Sequence, residues 1–456
     1  MNKKFLEYRK KYLEFIYDSY QIDIKESGYE INYKFIIPKL DTFNSKIIIP
    51  KNMIKRKNID NEFLKKLAFN IGIVESISYY KCVCPEKYII RCDYLDDFQQ
   101  KWFKKLFKNG LAEFLYRNDI NIDNDLFSFI FPSCINENND YKIEFESKGN
   151  LIAIGGGKDS CVSLDILKNE SDNVCFLLNP KQTMIDCAKV AGYKDEDLYC
   201  VKRIFDKKKL IKLNSEGYLN GHTPISALIA FISYLVAYLS MKKNIILSNE
   251  ASANETYVKG QMVNHQYSKS FEFEQDFYKY TQKYFSSSIK YMSLLRPLTE
   301  LQIAYIFSKL KKFHKIFKSC NLGSKQDNWD WCLNCSKCLF AYITLSTFLS
   351  FEEINNIFKE NLLDKENLIN DFKGLIGVNI NKPFECVGTI KEVNYCVNKI
   401  INKYQNEKKE LPKLLKYYTS SIGLKEYNDD ILNEYNKENN LDEYFNKLVM
   451  EELNGQ

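Results

Sequence analysis

The sequence predicts an α/β protein with a central parallel sheet, an N-terminal α+β region and a helical C-terminal region. From about residue 148 to 345, short apolar runs alternate with helical patterns, as expected for parallel strands joined by crossover helices. Extended and helical patterns are mixed before this part, and the apolar spacing after it is mainly helical. We therefore predict three units, at residues 1–147, 148–345 and 346–456.

Composition narrows the class of protein. The chain has 456 residues, of which 45% are hydrophobic and 14% aromatic, so it is long enough for two or three domains with real cores. Its 65 basic and 59 acidic residues give a net charge of only +6, which does not indicate nucleic acid as a partner. The charged start, MNKKFLEYRKKYLEF, lacks the apolar run of a signal peptide. Fourteen cysteines without such a signal indicate reduced thiols and metal ligands in a cytoplasmic protein.

The sequence of the first unit contains few strong indications of particular helices or strands. Its charged start is a helix candidate, residues 33–37 and 46–50 are extended runs, and residues around 62–71 form a second helix candidate. An α+β domain accounts for this mixture.

The central unit begins with the stretch LIAIGGGKDSCVSLDIL at residues 151–167. Four apolar residues form a strand candidate, three glycines follow, and the apolar spacing from Asp159 onward indicates a helix. Glycines allow backbone N–H groups to approach a phosphate, and the helix dipole favours negative charge there. An ordinary strand-to-helix turn is the alternative. We predict that the anion-binding residues are Gly155, Gly156, Gly157, Lys158, Asp159 and Ser160.

The other strand candidates of this unit are residues 173–178, 198–201, 244–247 and 291–295. Ligands of parallel sheets lie beyond the carboxyl ends of the strands, where this sequence places polar stretches such as SNEASANE and VNHQYSKSFEFE. Solvated surface loops are the alternative interpretation. The predicted substrate-binding residues are His222, Asn249, Glu255, Asn264, Ser268 and Arg296.

The uncharged segment 225–241 has a length at the short end of a membrane span. Its serines and tyrosines, and its position between two strand candidates, favour a helix buried against the sheet. We predict no membrane insertion.

Four cysteines near the end of the central unit have the spacing C-x11-C-x2-C-x2-C. These are Cys320, Cys332, Cys335 and Cys338. Four thiolates suit a closed tetrahedral zinc site, which we favour, although an Fe–S cluster uses the same ligands and a metal-free set remains open. In the last unit, residues 351–363 and 366–376 are helix candidates, whereas residues 381–393, NKPFECVGTIKEV, indicate a loop.

Two resemblances sharpen this interpretation. The motif GGGKDS resembles the S-G-G-x-D-S signature of N-type ATP pyrophosphatases (PP-loop enzymes), with Gly155 in place of the first serine. Over about residues 30–395, the blocks NGHTP, SNEASANE, VNHQYSKSFEFE, RPLTELQIA, WCLNCSKC and KPFECVGTIKEV resemble the UDP-N-acetyl-α-D-muramoyl-L-alanyl-L-glutamate epimerase family.

The family resemblance implies an isomerase of peptidoglycan synthesis, and hence a role in cell-wall biogenesis and cell shape. It implies that ATP and Mg²⁺ support inversion of the terminal L-glutamate of UDP-MurNAc-L-Ala-L-Glu to D-glutamate, through an acyl adenylate, with release of AMP and pyrophosphate. A ligase that adds L-glutamate would act before it. A structural zinc ion would complete the set of cofactors.

We assign roles within this resemblance. Asp159 would hold Mg²⁺ and Lys158 would supply a compensating charge beside the phosphates. Arg296 would pair with a carboxylate or phosphate of the substrate. The candidates for proton transfer are His265, Lys269, Glu250 and Glu255.

Two other classes of function stay open at this point. The 7-cyano-7-deazaguanine synthase family has a similar glycine motif and cysteine cluster, so an adenylating enzyme of nucleobase or tRNA modification is the main alternative. A zinc-stabilised, non-catalytic nucleotide or nucleic-acid binder is the other. A modification enzyme needs a nitrogen or sulfur donor, and a binder turns over nothing.

Overall fold

The computed structural model describes residues 2–122, 125–132, 141–255, 257, 263–323, 330–378, 381–424 and 429–455. These residues form ten strands: β1 Glu14–Lys25, β2 Gly28–Ile37, β3 Asp41–Pro50, β4 Lys87–Ile90, β5 Ser128–Ile130, β6 Asn150–Ala153, β7 Asn173–Leu178, β8 Leu198–Phe205, β9 Asn244–Leu247 and β10 Lys290–Ser293.

The helices of the first two-thirds of the described chain are α1 Lys3–Lys11, α2 Asn61–Tyr80, α3 Asp97–Gly110, α4 Ala112–Arg117, α5 Lys158–Ile166, α6 Gln182–Val190, α7 Lys207–Ser215, α8 Ile225–Ser240 and α9 Phe271–Tyr284. Those that follow are α10 Glu300–Lys309, α11 Ser336–Ser346, α12 Phe351–Phe358, α13 Ile369–Leu375, α14 Ile390–Asn406, α15 Lys413–Ser421 and α16 Glu443–Asn454.

The strands form one mostly parallel sheet, in the order β10-β9-β6-β7-β8-β3-β2-β1-β4-β5. Strands β10, β9, β6, β7 and β8 are mutually parallel neighbours, whereas β8, β3, β2 and β1 pair antiparallel. Strand β8 joins the two parts, because residues 198–201 pair with β7 and residues 202–205 pair with β3. The predicted α/β architecture with a helical C-terminal region is confirmed.

The side chains of the parallel strands alternate between two hydrophobic cores, one on each face of the sheet. Leu151 and Ile245 belong to the core that includes α2, α8 and α9. Their neighbours Ile152 and Ile246 belong to the core that includes α5, α10 and α11. Burial on both faces explains why these strands are short continuous apolar runs in the sequence.

Strand order places a topological switch point beside β6. The chain proceeds from β6 to β7 and β8 on one side, then crosses to β9 and β10 on the other. The crevice between the carboxyl ends of β6 and β9 is therefore the position where ligands of such sheets bind. The glycine turn follows β6, and the SNEASANE stretch follows β9.

Several predicted elements are present with different limits. Residues 33–37 and 46–50 are the ends of the longer strands β2 and β3, and the helix predicted around 62–71 extends to Tyr80 as α2. The prediction that residues 381–393 are entirely loop is wrong, because α14 begins at Ile390. Thr389 caps this helix in a capping box with Glu392, a pattern that the preceding proline and glycine obscure.

The apolar segment at 225–241 forms α8, and the prediction of a buried helix is confirmed, since most of its side chains are buried in the first core. Among the helices in the described part of the chain, none combines the length and apolar character needed to cross a membrane.

Candidate active site

The glycine turn connects β6 to α5 and forms the floor of the site. Gly156 has a positive φ of +77°, a conformation that a side chain would strain, and Gly157 is the N-cap of α5. At Gly155, apart from the glycine itself and its two chain neighbours, no heavy atom of the described residues lies within 4 Å of the place where a Cβ would stand. The backbone N–H of Lys318 donates to the carbonyl of Gly156 at 2.9 Å, which ties the turn to the segment before the cysteine cluster.

A cavity of about 310 Å³ opens over this turn, at the switch point of the sheet. Six of the residues that the sequence analysis assigned to the site line this cavity, namely Gly155, Gly157, Asp159, Ser160, Asn249 and Lys269. Residues that the sequence did not single out also line it, namely Ser226, Ser248, Lys318, Ser319, Asn321 and Lys337. The backbone N–H groups at the start of α5 and the three lysines make this a cavity suited to an anionic ligand.

Three carboxylates converge beside the cavity. One oxygen from each of Asp159, Glu250 and Glu300 lies within 4.8 Å of the others. The Lys158 ammonium contacts both Asp159 and Glu300. Burial alone would lower the pKa of Lys158, but these two carboxylates raise it well above its ordinary value. Burial raises the pKa of Glu300 to about 8, although Lys158 opposes that shift.

The position of Lys158 corrects one prediction. Its side chain is buried against the carboxylates and is not among the residues that line the cavity. Lys158 therefore compensates the charge of the carboxylates, and the predicted contact between Lys158 and ATP has no support in this geometry.

Arg296 also differs from its prediction. Its side chain is 0% exposed and forms an ion pair with Glu274 at 3.0 Å. Its guanidinium also donates to the carbonyls of Glu250 at 2.7 Å and Lys269 at 2.6 Å. Because these donors are occupied within the protein, Arg296 holds the loops after β9 and before α9 together, and its predicted role as a substrate ligand is not supported.

A second polar cluster lies around His265. Its Nδ1 is 2.5 Å from a carboxylate oxygen of Glu113, and its ring centroid is 4.4 Å from that of His222. The Nζ of Lys269 donates to Sγ of Cys386 at 3.1 Å. His222 and His265 therefore lie together, but neither lines the cavity over the glycine turn, and their roles in substrate binding and proton transfer stay predictions.

The two histidines have opposite charge states. Burial lowers the pKa of His222 to about 4, and the charge of His265 adds to that shift. Burial would also lower the pKa of His265, but hydrogen bonds to Cys386 and Glu113 raise it to about 9. At neutral pH, His222 is neutral and His265 is an imidazolium.

The remaining predicted substrate residues are dispersed. Glu255 forms an ion pair with Lys382, which belongs to the segment before α14. Asn264 lines a separate cavity of about 550 Å³, and Ser268 is buried. These three residues are therefore not brought to the glycine turn, whereas Asn249 and Lys269 are.

The four cysteines of the cluster lie close enough together to hold one metal ion. One Sγ from each of Cys320, Cys332, Cys335 and Cys338 lies within 4.8 Å of the others. The Sγ atoms of Cys332 and Cys338 are 3.7 Å apart, close to the sulfur–sulfur separation of about 3.8 Å that Zn–S bonds of about 2.3 Å give in a tetrahedron. The N–H groups of Gly323 and Cys332 donate to Sγ of Cys320, as they would to a thiolate.

Three further residues of these clusters also escaped the sequence analysis. Glu113 lies on the short helix α4, Glu300 begins α10, and Cys386 lies in a segment predicted as loop. Glu113 contacts His265, Cys386 contacts Lys269 and Glu300 contacts Lys158, and the long sequence separations hide these contacts. The only available signal for Glu300 was its position in the segment that follows the carboxyl end of β10, where ligands of such sheets bind.

The fold and site together define an α/β protein with a polar cavity at the switch point of a mostly parallel sheet, the arrangement of a ligand-binding enzyme core. Comparison with known families identifies it further. The chain belongs to the MurL family: the MurL N-terminal domain matches residues 7–294, and the MurL C-terminal domain matches residues 316–425. The family predicted from the loop motifs is confirmed.

Three curated relatives share the name UDP-N-acetyl-alpha-D-muramoyl-L-alanyl-L-glutamate epimerase. The protein from Xanthomonas oryzae pv. oryzae is 32% identical over 71% of this chain and 71% of its own length. The proteins from a Micromonospora species and from Salinispora tropica are each 29% identical over 83% of this chain, and over 84% and 82% of their own lengths. No solved structure matches the chain.

Proposed function

We propose that this protein inverts the terminal L-glutamate of UDP-MurNAc-L-Ala-L-Glu to D-glutamate, in an ATP-dependent reaction that releases AMP and pyrophosphate. Membership of the MurL family and the name of the relatives support the epimerisation. The observation that supports ATP dependence is the cavity over the glycine turn at the N-terminus of α5. Lys269, one of the candidate proton-transfer residues, lines the same cavity.

The chemistry explains why ATP is needed. Removal of the proton on Cα next to a carboxylate places a carbanion beside a negative charge. An oxygen of the α-carboxylate attacks the α-phosphorus of ATP, pyrophosphate leaves, and an acyl adenylate forms. The mixed anhydride has lost the carboxylate charge, so Cα–H becomes more acidic. A proton then leaves one face and another returns on the opposite face, and water cleaves the anhydride to the acid and AMP.

The glycine turn would hold the phosphates in the manner of PP-loop enzymes. Backbone N–H groups at the start of α5 point toward the cavity end of the helix, where the dipole favours an anion. Lys318 and Lys337 line the same cavity and add positive charge. The open space beside Gly155 leaves room for a phosphate to approach the backbone.

The residues present fit a magnesium ion. Asp159, Glu250 and Glu300 offer three converging carboxyl groups, two of which, Asp159 and Glu300, are contacted by Lys158. Carboxylate oxygens are the ligands that Mg²⁺ prefers. These three residues would hold the ion, which would neutralise phosphate charge during adenylation.

The four-cysteine cluster fits zinc in a structural role. Two cavity lysines adjoin the cluster in sequence: Lys318 lies two residues before Cys320, and Lys337 lies between Cys335 and Cys338. A metal held by these thiolates would therefore fix both segments that carry lysines into the cavity. We propose zinc rather than an Fe–S cluster, because the sulfur separation suits a single tetrahedral ion.

We place the reaction in the cytoplasm, immediately after a ligase that adds L-glutamate to the muramoyl precursor, because that reaction supplies the substrate. The alternative, modification of a nucleobase or tRNA, loses its support, because the matched family and the named relatives are those of the epimerase.

One assay tests the function. The protein is incubated with ATP, Mg²⁺ and UDP-MurNAc-L-Ala-L-Glu, and the chirality of the released glutamate is determined after acid hydrolysis. We expect D-glutamate to accumulate with AMP and pyrophosphate, without any nitrogen or sulfur donor. An absence of D-glutamate from protein of native stability would refute the proposal, and donor-dependent AMP formation on a nucleobase would favour the alternative.

A further inference from the structure

Cys386 lies in a network of charged side chains that the proposed reaction does not yet use. Its Sγ accepts a hydrogen bond from Lys269 Nζ at 3.1 Å, and His265 interacts electrostatically with the same thiol. On its other side, His265 is held by Glu113 at 2.5 Å. The order Cys386, His265, Glu113 is that of a nucleophile or base, an imidazole and an orienting carboxylate.

This thiol adjoins the cavity through two separate links. Lys269, its hydrogen-bond donor, lines the cavity over the glycine turn. The neighbouring residue Glu385 is hydrogen-bonded to Asn321, which lines the same cavity. The Cys386 side chain is partly exposed, in contrast to the buried thiols of Cys161 and Cys175 in the sheet core.

The groups around the thiol favour its ionised form. Burial would raise the pKa of Cys386, but the charges of Lys269 and Lys337 and the hydrogen bond from His265 lower it to about 6. Tyr257 also faces the thiol, and burial keeps that phenol neutral by raising its pKa well above 10. Between about pH 6 and 9 the pair therefore consists of a thiolate and an imidazolium.

We propose that Cys386 is the base that removes the α-proton of the adenylated glutamate, with His265 and Glu113 as its positioning residues. The inference rests on the proposed function. The Cα–H bond breaks, its proton passes to Sγ, and its electron pair moves into the activated carbonyl to give an enolate. A solvent-derived proton adds to Cα from the opposite face, and the new thiol returns its proton to solvent, so no net proton is gained or lost.

Lys269 has a supporting role in this arrangement. Burial would lower its pKa, but Cys386 and Glu250 raise it above the ordinary value, so Lys269 remains an ammonium. An ammonium cannot remove a proton from carbon. Lys269 therefore stabilises the thiolate and the developing enolate, which reassigns a residue predicted to transfer the proton itself.

The test separates adenylation from proton removal. We compare wild type, Cys386→Ser, Cys386→Ala and the control Cys200→Ser, whose thiol lies on β8 away from the cavity. Substrate-dependent exchange of labelled pyrophosphate into ATP measures adenylation, and formation of D-glutamate measures inversion. We expect both Cys386 variants to keep the exchange and to lose about 10²- to 10⁴-fold in inversion. Cys200→Ser should keep both activities.

Alkylation of the wild-type protein by iodoacetamide provides a measurement that does not depend on a variant that folds. We expect the alkylation rate of Cys386 to rise with a midpoint near pH 6, against about 8.5 for an ordinary thiol. His265→Gln should move that midpoint upward, which a purely structural role for His265 would not do.

The outcomes distinguish the two proposals. Wild type that exchanges pyrophosphate but never inverts glutamate would refute the proposed function. Wild type that inverts, together with Cys386→Ala that inverts at a comparable rate, would overturn the assignment of Cys386 alone. An alkylation midpoint near that of an ordinary thiol would also overturn it, even if both variants fail to fold.

Discussion

Asp159, Glu250 and Glu300 follow three different strands, β6, β9 and β10, and meet beside the glycine turn. Sequence patterns identified the first two, because each is in a polar stretch directly after an apolar run. Glu300 was not identified, because it lies in the stretch RPLTE, which is typical of the capped start of a helix. In the structure Thr299 caps α10, so one segment supplies both a helix cap and the carboxyl group of Glu300.

The carboxylate group leads to a prediction for ATP cleavage. Asp159→Asn keeps the size of the side chain but removes one charge from the proposed magnesium ligands. A loss of several kcal/mol in charge stabilisation corresponds to about 10³-fold in rate, so AMP and pyrophosphate formation should fall by that order. The variant should stay folded, because Glu300 still pairs with the buried Lys158 ammonium.

The matched control is Asp186→Asn, on α6, whose carboxylate is hydrogen-bonded to Gln182 outside the cavity. It should turn over ATP at the wild-type rate. Wild-type turnover by Asp159→Asn would discard the assignment of Asp159.

Gly155 gives a second residue-level prediction, because a side chain there would extend into open space. Gly155→Val should fold normally, yet its branched side chain should occupy the approach to the backbone and weaken ATP binding at least tenfold. Gly155→Ser restores the serine of the PP-loop signature and should bind ATP at least as well as wild type. Isothermal titration with ATP and Mg²⁺ measures both. Equal ATP affinity of the valine variant would show that the phosphates lie elsewhere.

Single elements show why some of the site was not predictable. Residues 381–389 were interpreted as a loop from their proline and glycine, which is correct, but the pattern could not show what they contact. In the structure, the hydroxyl of Tyr257 donates to the carbonyl of Glu385, and the N–H of Lys382 donates to the carbonyl of Tyr257. These contacts across more than a hundred residues bring Cys386 to Lys269 and His265, and local periodicity carries no information about them.

The cysteine cluster supports a prediction at the level of an element. We expect metal analysis to find about one zinc per chain, with iron absent. Cys332→Ser should lower the zinc content and reduce the melting temperature by several degrees, because a structural metal site contributes to folding free energy. ATP binding should weaken as well, since the segment around Cys320 carries Lys318 into the cavity. Cys200→Ser is the control, and metal-free protein with full stability would contradict a structural role.

For the whole molecule, alternating strands and helices were enough to predict the parallel sheet and its glycine turn. They were not enough to predict that β8 extends beyond the parallel strands and pairs with β3, which makes the sheet continuous with the N-terminal part. Antiparallel pairing between strands about 150 residues apart depends on register and shape that a local pattern does not encode. The fold class was therefore predictable, and the connection between its two parts was not.

That architecture brings together the groups of the two proposed steps. The parallel strands end at the glycine turn and the carboxylates, whereas α4 from the N-terminal part brings Glu113 to His265 and the C-terminal part brings Cys386. The proposed adenylation and proton transfer would thus use residues from α4 to the segment before α14. The order of the proposed reaction, in which activation precedes inversion, requires both sets of groups around one substrate.

The most direct test of this account is the reaction in D₂O with and without ATP. Because the α-proton passes to a group that exchanges with solvent, D-glutamate formed in the presence of ATP and Mg²⁺ should carry deuterium at Cα, as measured by mass spectrometry of the separated enantiomers. Without ATP, neither inversion nor label should appear. Inversion that proceeds without ATP, or D-glutamate that keeps the hydrogen of the substrate in every turnover, would contradict epimerisation through an acyl adenylate with solvent-exchanging groups.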